Sequence, residues 1–294
     1  VVDVNSNANN PVIGLRSFGD DPQIVGTMAS AVIEGMAKHN VIGCAKHFPG
    51  HGDTSTDSHY GLPIVEKTKA ELLQCELKPF EIAVSQGVEM IMTAHILYPM
   101  LEPDRIVSEK TGREEMPPAT MSDDIVTGLL KGDLGFSGIV VTDAMNMVGI
   151  TDYWTPEQAV VTAIQAGIDM ICMPCSVHNP VQLENLDRII QAVMNAVNTG
   201  TIPQERIDDA VTRILTVKKN RGILFSISMP PARSVGNGCR STCRNWACLS
   251  MTARVSTCES LFSGTGTQYC RFCGAPENRT GNCFCCCNAD SEQR

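Results

Sequence analysis

Gly138-Ile139-Val140-Val141-Thr142-Asp143 is a run of β-branched residues with no charge until its last position. It is long enough for a strand buried on both faces and too short for an ordinary helix. Strands of that kind belong to parallel sheets covered by helices. The sequence on either side supplies the helices. Upstream, Ser122 is suited to cap a helix over Asp123–Lys131. Downstream, Pro156–Ala166 reads as helix and Ile168–Met173 as the next strand. Further out, Val88–Thr93 (VEMIMT), Val41–Ala45 and Val1–Val4 read as earlier strands. Helices are expected from Asp21-Pro22 to Lys38, over Glu71–Gln86 with a break near Lys78-Pro79, over Asn185–Asn198, and after Thr201 and Pro203. Leu97 to Thr120, rich in Pro and charge, is expected to be irregular.

Five strands alternating with helices predict an α/β fold with a parallel sheet and crossover connections. A barrel and an open doubly wound sheet both fit. No Gly-rich phosphate fingerprint follows a strand, which weakens the dinucleotide-binding version. Lys46-His47, His95 and Asp143 all follow strands, and (β/α) barrels place their chemistry at the carboxyl ends of strands. Five strands cannot close an eight-stranded barrel, so that reading expects further strands upstream.

The 294 residues carry a formal charge of −9 with a pI near 5.2, and 43% are apolar. That permits a sizeable core and disfavours a nucleic-acid binder, which shows a basic face. No run approaches the roughly 20 apolar residues that cross a bilayer. The start has neither Met nor a signal pattern, so a longer protein is expected upstream. Of 14 cysteines, only Cys44, Cys75, Cys172 and Cys175 precede residue 227. The sequence leaves the oligomeric state open.

The densest polar stretch is Lys46 to Pro63, KHFPGHGDTSTDSHYGLP. Three readings stand. It is a polar surface loop, a metal site drawing on His47, His51, Asp53, Asp57 and His59, or an acid/base site in which Asp57 orients His59. Asp143 either caps the turn after its strand or serves as an ionised nucleophile. In NSNANNPVIGLRSF, residues 5–18, the Asn residues suit turns. Arg16 there is either a surface side chain or a donor to a ligand rich in hydroxyls.

Four ordered segments, DVNSNANNPVIGLRSFG, KHFPGHGDTSTDSH, MTAH and VVTDAMNM, resemble glycoside hydrolase family 3, in particular its β-N-acetylglucosaminidases of the NagZ type. The resemblance covers residues 1–226 and implies a (β/α)8 TIM-type barrel lacking its first three strands, because the family's D-Q-E-G-G-R segment has no match. It implies Asp143 as nucleophile, His59 with Asp57 as acid/base, and Arg16, Lys46 and His47 as holders of the sugar. It implies a retaining β-N-acetylglucosaminidase acting on a carbohydrate, with no metal or other cofactor and no membrane segment. A cytoplasmic site is the expectation, with a secreted form open. Phosphorolysis by the same residues and an inactive, truncated barrel are the alternatives.

Residues 227–294 form a Cys-rich tail without apolar periodicity, expected to be irregular. Cys270-x-x-Cys273 with Cys283 and Cys285–Cys287 permits a zinc ribbon, and a disulfide-rich module also fits. The abrupt loss of Lys after Lys219 and the scattered Arg and Cys favour a segment translated out of frame.

Overall fold

The computed structural model describes residues 1–55 and 61–223, together with two short strands, Ser260–Phe262 and Gln268–Cys270. The chain divides into two compact units, Val1–Ser226 and Ile227–Arg294.

A parallel sheet forms the centre of the first unit. Its strands are β1 (Cys44–Phe48), β2 (Met90–Thr93) and β5 (Ile139–Thr142), in that spatial order. Between the last two, the stretch expected to be irregular contains a small antiparallel hairpin of β3 (Ile106–Val107) and β4 (Glu114–Glu115). Every residue of β5 is buried, as the unbroken β-branched run predicts. All three strands point the same way, so the connections between them cross over.

The expected five strands are corrected to three, and the reason is chemical. At one edge, Val1–Val4 gives β1 a single backbone bond, Val2 N–H to Lys46 O at 2.8 Å. The next donors on that side, the amides of His47 and His51, go to the Asp3 carboxylate instead. At the other edge, Ile168–Met173 reaches β5 through one bridge, Val141 to Met170. There Asp169 Oδ2 accepts the Val140 N–H at 2.9 Å, and the Thr142 hydroxyl accepts the Cys172 N–H at 2.9 Å. Side chains thus occupy places that a regular ladder gives to backbone. Among the described residues the sheet does not close into a barrel.

The covering helices follow their sequence signals closely. Asp21 caps α1 (Pro22–Lys38) by accepting from Gln23 and Ile24 N–H, with Pro22 in the first turn. Thr68 and Glu71 form a reciprocal capping box on α2 (Lys69–Gln74), and Pro79 opens α3 (Lys78–Ser85). Four further helices, α4 (Val148–Thr151), α5 (Pro156–Ala166), α6 (Leu183–Asn198) and α7 (Gln204–Asn220), complete the layer. The helix expected over Asp123–Lys131 is present, but as a π-helix, Asp124–Asp133. Ser122 does accept the Ile125 N–H there, at 3.2 Å.

The core lies between sheet and helices. Phe48 and Phe80 meet edge to face at 5.2 Å, amid Leu72, Leu77, Ile91, Ile125 and Trp154, all nearly or fully buried. Behind the sheet, Arg206 of α7 reaches Asp169 at 2.7 Å and the Ile168 carbonyl at 2.6 Å. In the second unit, the tail expected to be irregular carries β6 (Ser260–Phe262) paired antiparallel with β7 (Gln268–Cys270). The zinc-ribbon, disulfide and out-of-frame readings of the tail otherwise fall outside the described residues.

Candidate active site

The carboxyl ends of the strands deliver polar residues to one place. β1 brings Lys46 and His47, β2 leads through Thr93 to His95, and β5 ends immediately before Asp143. Pairing of β1 with β2 jumps from Lys46–Met92 to Phe48–Thr93, which leaves His47 as a bulge residue. Bulges re-aim side chains at strand ends. The peptides Lys46–His47 and Phe48–Pro49 are both cis.

Asp3 organises this corner. It is fully buried, its Oδ2 meets His47 Nδ1 at 2.8 Å, and its oxygens accept the amides of His47 and His51. Burial alone would raise its pKa. The paired His47 imidazole and the donated N–H groups outweigh that and hold Asp3 below the ordinary carboxylate value. In sequence, Val1–Val4 reads only as a strand, and Asp3 does not stand out as a site residue. A signal was available: a carboxylate inside an apolar run must find donors if buried.

The loop after β1 is anchored from several sides. Asn10 Nδ2 donates to His51 O and Thr54 O at 2.8 and 3.0 Å, and Tyr98 Oη donates to Gly50 O at 2.6 Å. Gly52 lies so close to the first segment that a Cβ there would sit 1.5 Å from Val4 O. Lys67 Nζ bonds both Asp53 Oδ2, at 2.9 Å, and buried Glu76 Oε1, at 2.6 Å. Burial opposes the Lys67 charge, but these two carboxylates raise its pKa. Asp57 and His59 lie outside the described residues. The metal reading of this loop has other claims on its donors. His47 is turned to Asp3, His51 Nδ1 to Thr54 Oγ1 at 2.8 Å, and Asp53 to Lys67. Among the described residues no group of three or more His, Cys, Asp or Glu could hold a metal.

Asp143 is half-buried. Its N–H donates to Thr93 O at 3.1 Å, and its Oδ1 accepts the Ala144 N–H at 2.8 Å. Its negative charge raises the proton affinity of His51, His95 and Cys44. Lys46, also half-buried, pulls Cys44 the opposite way, but burial dominates and pushes that thiol up to about 11. A thiol that weak is not the nucleophile at neutral pH. Buried His95 bonds Ala144 O through Nε2 at 3.1 Å and Thr120 Oγ1 through Nδ1 at 3.0 Å.

The structure therefore draws Lys46, His47 and Asp143 to one rim. Arg16 stands apart from them in hydrogen bonding. It ends a 3-10 turn, Gly14–Arg16, is exposed, and its Nη1 reaches only Val12 O at 3.3 Å among the described residues. Chemically, the strand ends offer a carboxylate steadied by one backbone donor after β5 and, two strands away on β1, a cationic and an imidazole donor. That set suits a neutral ligand rich in hydroxyls better than an anion.

Residues 1–217 match the family model described as the glycosyl hydrolase family 3 N terminal domain. The chain is 40% identical over 218 residues to a beta-hexosaminidase A from Pseudoalteromonas piscicida, covering 74% of this chain and 36% of that protein. A glycoside hydrolase family 3 beta-N-acetylglucosaminidase from Paenibacillus sp. superposes with a TM-score of 0.67 at 35% identity, covering 87% of this chain and 44% of that one. A beta-N-acetylhexosaminidase from Beutenbergia cavernae superposes with a TM-score of 0.63 at 28% identity, covering 74% and 61%. The chain thus spans less than half the length of the first two.

Proposed function

The chain belongs to glycosyl hydrolase family 3, and from that premise we propose that it carries the catalytic residues of a retaining β-N-acetylglucosaminidase. Its fold is accordingly of the α/β, TIM-barrel-like kind. The observation that carries the proposal is the placement of Asp143, at the carboxyl end of a fully buried strand with its Oδ1 held by the Ala144 N–H. A carboxylate so placed is aimed, partly shielded from water, and close to donors able to grip a sugar.

In this reading Asp143 attacks the anomeric carbon of a terminal β-linked N-acetylglucosamine. The glycosidic bond breaks as the Asp143–carbon bond forms. His59, oriented by Asp57, gives its proton to the departing oxygen. The same imidazole then takes a proton from water, which displaces Asp143 and frees the sugar. Two inversions give net retention. An unperturbed imidazole titrates near 6.5, so it exchanges a proton at neutral pH without the burial a carboxylic acid needs. Lys46, His47 and Arg16 donate to sugar hydroxyls and to the N-acetyl group, and such positioning supplies a large part of the barrier reduction. Glycans from cell-wall turnover, which end in this sugar, are the substrates we propose.

The test is hydrolysis of 4-nitrophenyl N-acetyl-β-glucosaminide by the purified chain. The product anomer is followed by proton NMR, and phosphate buffer is included to reveal any sugar phosphate. We expect the β-anomer first and free sugar as product. Asp143→Asn should abolish turnover. An α-anomer as first product, or a fully active Asp143→Asn, overturns the proposal.

A further inference from the structure

One short segment of the neighbouring strand brackets Asp143. The Asp143 N–H donates to Thr93 O at 3.1 Å, and the carbonyl of the next residue, Ala144, faces His95 Nε2 at 3.1 Å. The peptide between these two anchors is the one whose N–H holds Asp143 Oδ1. A carbonyl only accepts, so His95 Nε2 must carry a proton.

The other ring nitrogen decides the charge. His95 Nδ1 lies 3.0 Å from Thr120 Oγ1. Thr120 has one hydroxyl proton and three acceptors within reach, His95 Nδ1, Ala94 O at 2.9 Å and Thr93 Oγ1. If the ring is neutral, Thr120 donates to Nδ1. If the ring is charged, that bond reverses and the Thr120 proton goes to Ala94 O or Thr93 Oγ1. Thr93 Oγ1 closes the far side of the pair, 3.0 Å from Thr120 Oγ1. His95, Thr120 and Thr93 are all buried, so solvent is poorly placed to supply a missing partner. The charged groups acting on the ring are Asp143, which favours the cation, and His51 and His47, which oppose it; burial is the largest effect and also opposes it.

We propose that His95 is a positioning residue for Asp143. As the neutral Nε2–H tautomer, selected by the Thr120 hydroxyl, it holds the Ala144 carbonyl and so keeps the Ala144 N–H on Asp143 Oδ1. The consequence is a division of labour within the carboxylate. Oδ1 is occupied by the backbone, and Oδ2, which makes no hydrogen bond among the described residues, is left to attack. The inference rests on the reading of Asp143 as nucleophile.

Two pairs of variants test it in the full chain. His95→Phe keeps a ring but loses both nitrogens, whereas His95→Gln keeps an amide donor that can reach Ala144 O. Thr120→Val keeps the shape but loses the hydroxyl, whereas Thr120→Ser keeps it. Losing a buried bond that matters in the transition state lowers kcat by ~10- to 100-fold. We expect that loss in His95→Phe and Thr120→Val, with KM changed by less than about 3-fold, and recovery of most of it in His95→Gln and Thr120→Ser. Rates are taken per folded molecule, because a merely structural role would lower Tm and leave that rate unchanged. Ring 15N NMR at pH 7 supplies a readout that needs no turnover, with the neutral Nε2–H form expected in the wild type and altered in Thr120→Val. The Asp143 carboxyl 13C shift should also move in His95→Phe. If the wild type hydrolyses nothing, the functional proposal falls while the NMR still decides whether His95 holds Asp143. An Nδ1–H or charged ring at pH 7, an unmoved Asp143 resonance, or an unchanged kcat in His95→Phe overturns the inference.

Discussion

Asp3 shows how one side chain can set both a corner of the fold and the posture of a site. It takes two backbone amides and the His47 ring at once. Asp3→Asn keeps one acceptor oxygen but turns an NH2 group toward those donors. We expect it to cost about 1–3 kcal/mol of stability through unmatched buried donors and to lower kcat/KM, since His47 loses its partner. Unfolding by urea together with the nitrophenyl assay measures both, and a variant with wild-type values in each would show that Asp3 is dispensable. The buried groups also fix the pH response. Burial lowers the pKa of both His95, to about 4, and His51 from the ordinary 6.5. Below 6.5 the unfolded chain binds protons that the folded chain refuses, so stability is complete above 6.5 and declines as pH falls toward 4. Asp3 acts lower, because its depressed pKa gives stability that is lost only as pH drops below the ordinary carboxylate value. His95→Gln should therefore flatten the slope of Tm between pH 6.5 and 4.5, and an unchanged slope would remove His95 from this account. At the same scale, His59→Ala should slow hydrolysis of a natural disaccharide far more than that of the nitrophenyl glycoside, whose leaving group needs little protonation. Equal losses on both would exclude His59 as the acid.

At the scale of elements, a buried ion pair ties the last helix to the segment that flanks β5. Asp169 has no exposed side-chain surface, and it meets Arg206 at 2.7 Å and Lys131 at 3.6 Å while accepting the Val140 N–H. Removing one partner of a buried pair strands the other, at a cost of about 3–5 kcal/mol. Arg206→Met should therefore lower Tm by ~6–20 °C, whereas exposed Arg188, paired with Glu157 at 3.2 Å, should be replaceable with less than about 1 kcal/mol of change. Comparable shifts in the two variants would mean that α7 is not docked by this pair. Neither Asp169 nor Arg206 stood out in the sequence, because an ion pair across 37 residues leaves no local pattern. Local signals did fare well. Thr155, Pro156 and Gly167 bound α5 where a cap, a first-turn proline and a left-handed glycine belong. Periodicity and capping are properties of neighbours in sequence, so helices were legible. The edge strands were not, since Val1–Val4 and Ile168–Met173 have the apolar look of strands but lose ladder bonds to Asp3, Asp169 and Thr142. In the candidate site, Lys46, His47 and Asp143 were legible only as polar residues after apolar runs. Asp3, which holds His47, and Asn10, Tyr98 and Thr120, which bond the loop after β1 and His95, became visible only when the chain was folded.

Over the whole chain, the question is what the first unit needs in order to stand. Its end is tied back to its beginning. Arg221 grips Glu89 through Nε and Nη2 at 2.6–2.9 Å across 132 residues, and Asn40 Nδ2 bonds the Arg221 carbonyl at 2.8 Å. Arg213 Nη1 adds a bond to Ser137 O at 2.7 Å, just before β5. The family match also ends within this helix, at residue 217. Among the described residues, the bonds that tie the end of the unit to its sheet are thus made by Arg221, within the boundary at Ser226. A chain ending at Ser226 should keep the Tm of the full chain to within about 2 °C, less than the shift that one lost kcal/mol produces in a unit of this size. It should also keep the rate of the full chain on the nitrophenyl glycoside. A chain ending at Pro203 should unfold, because it leaves Asp169, Glu89 and the base of β5 without Arg206, Arg221 and Arg213. The pair of truncations separates two accounts of the molecule. If the cut at Ser226 lowers Tm or activity as the cut at Pro203 does, residues 227–294 are part of the working fold. If only the deeper cut does so, α7 is the last element that the first unit requires.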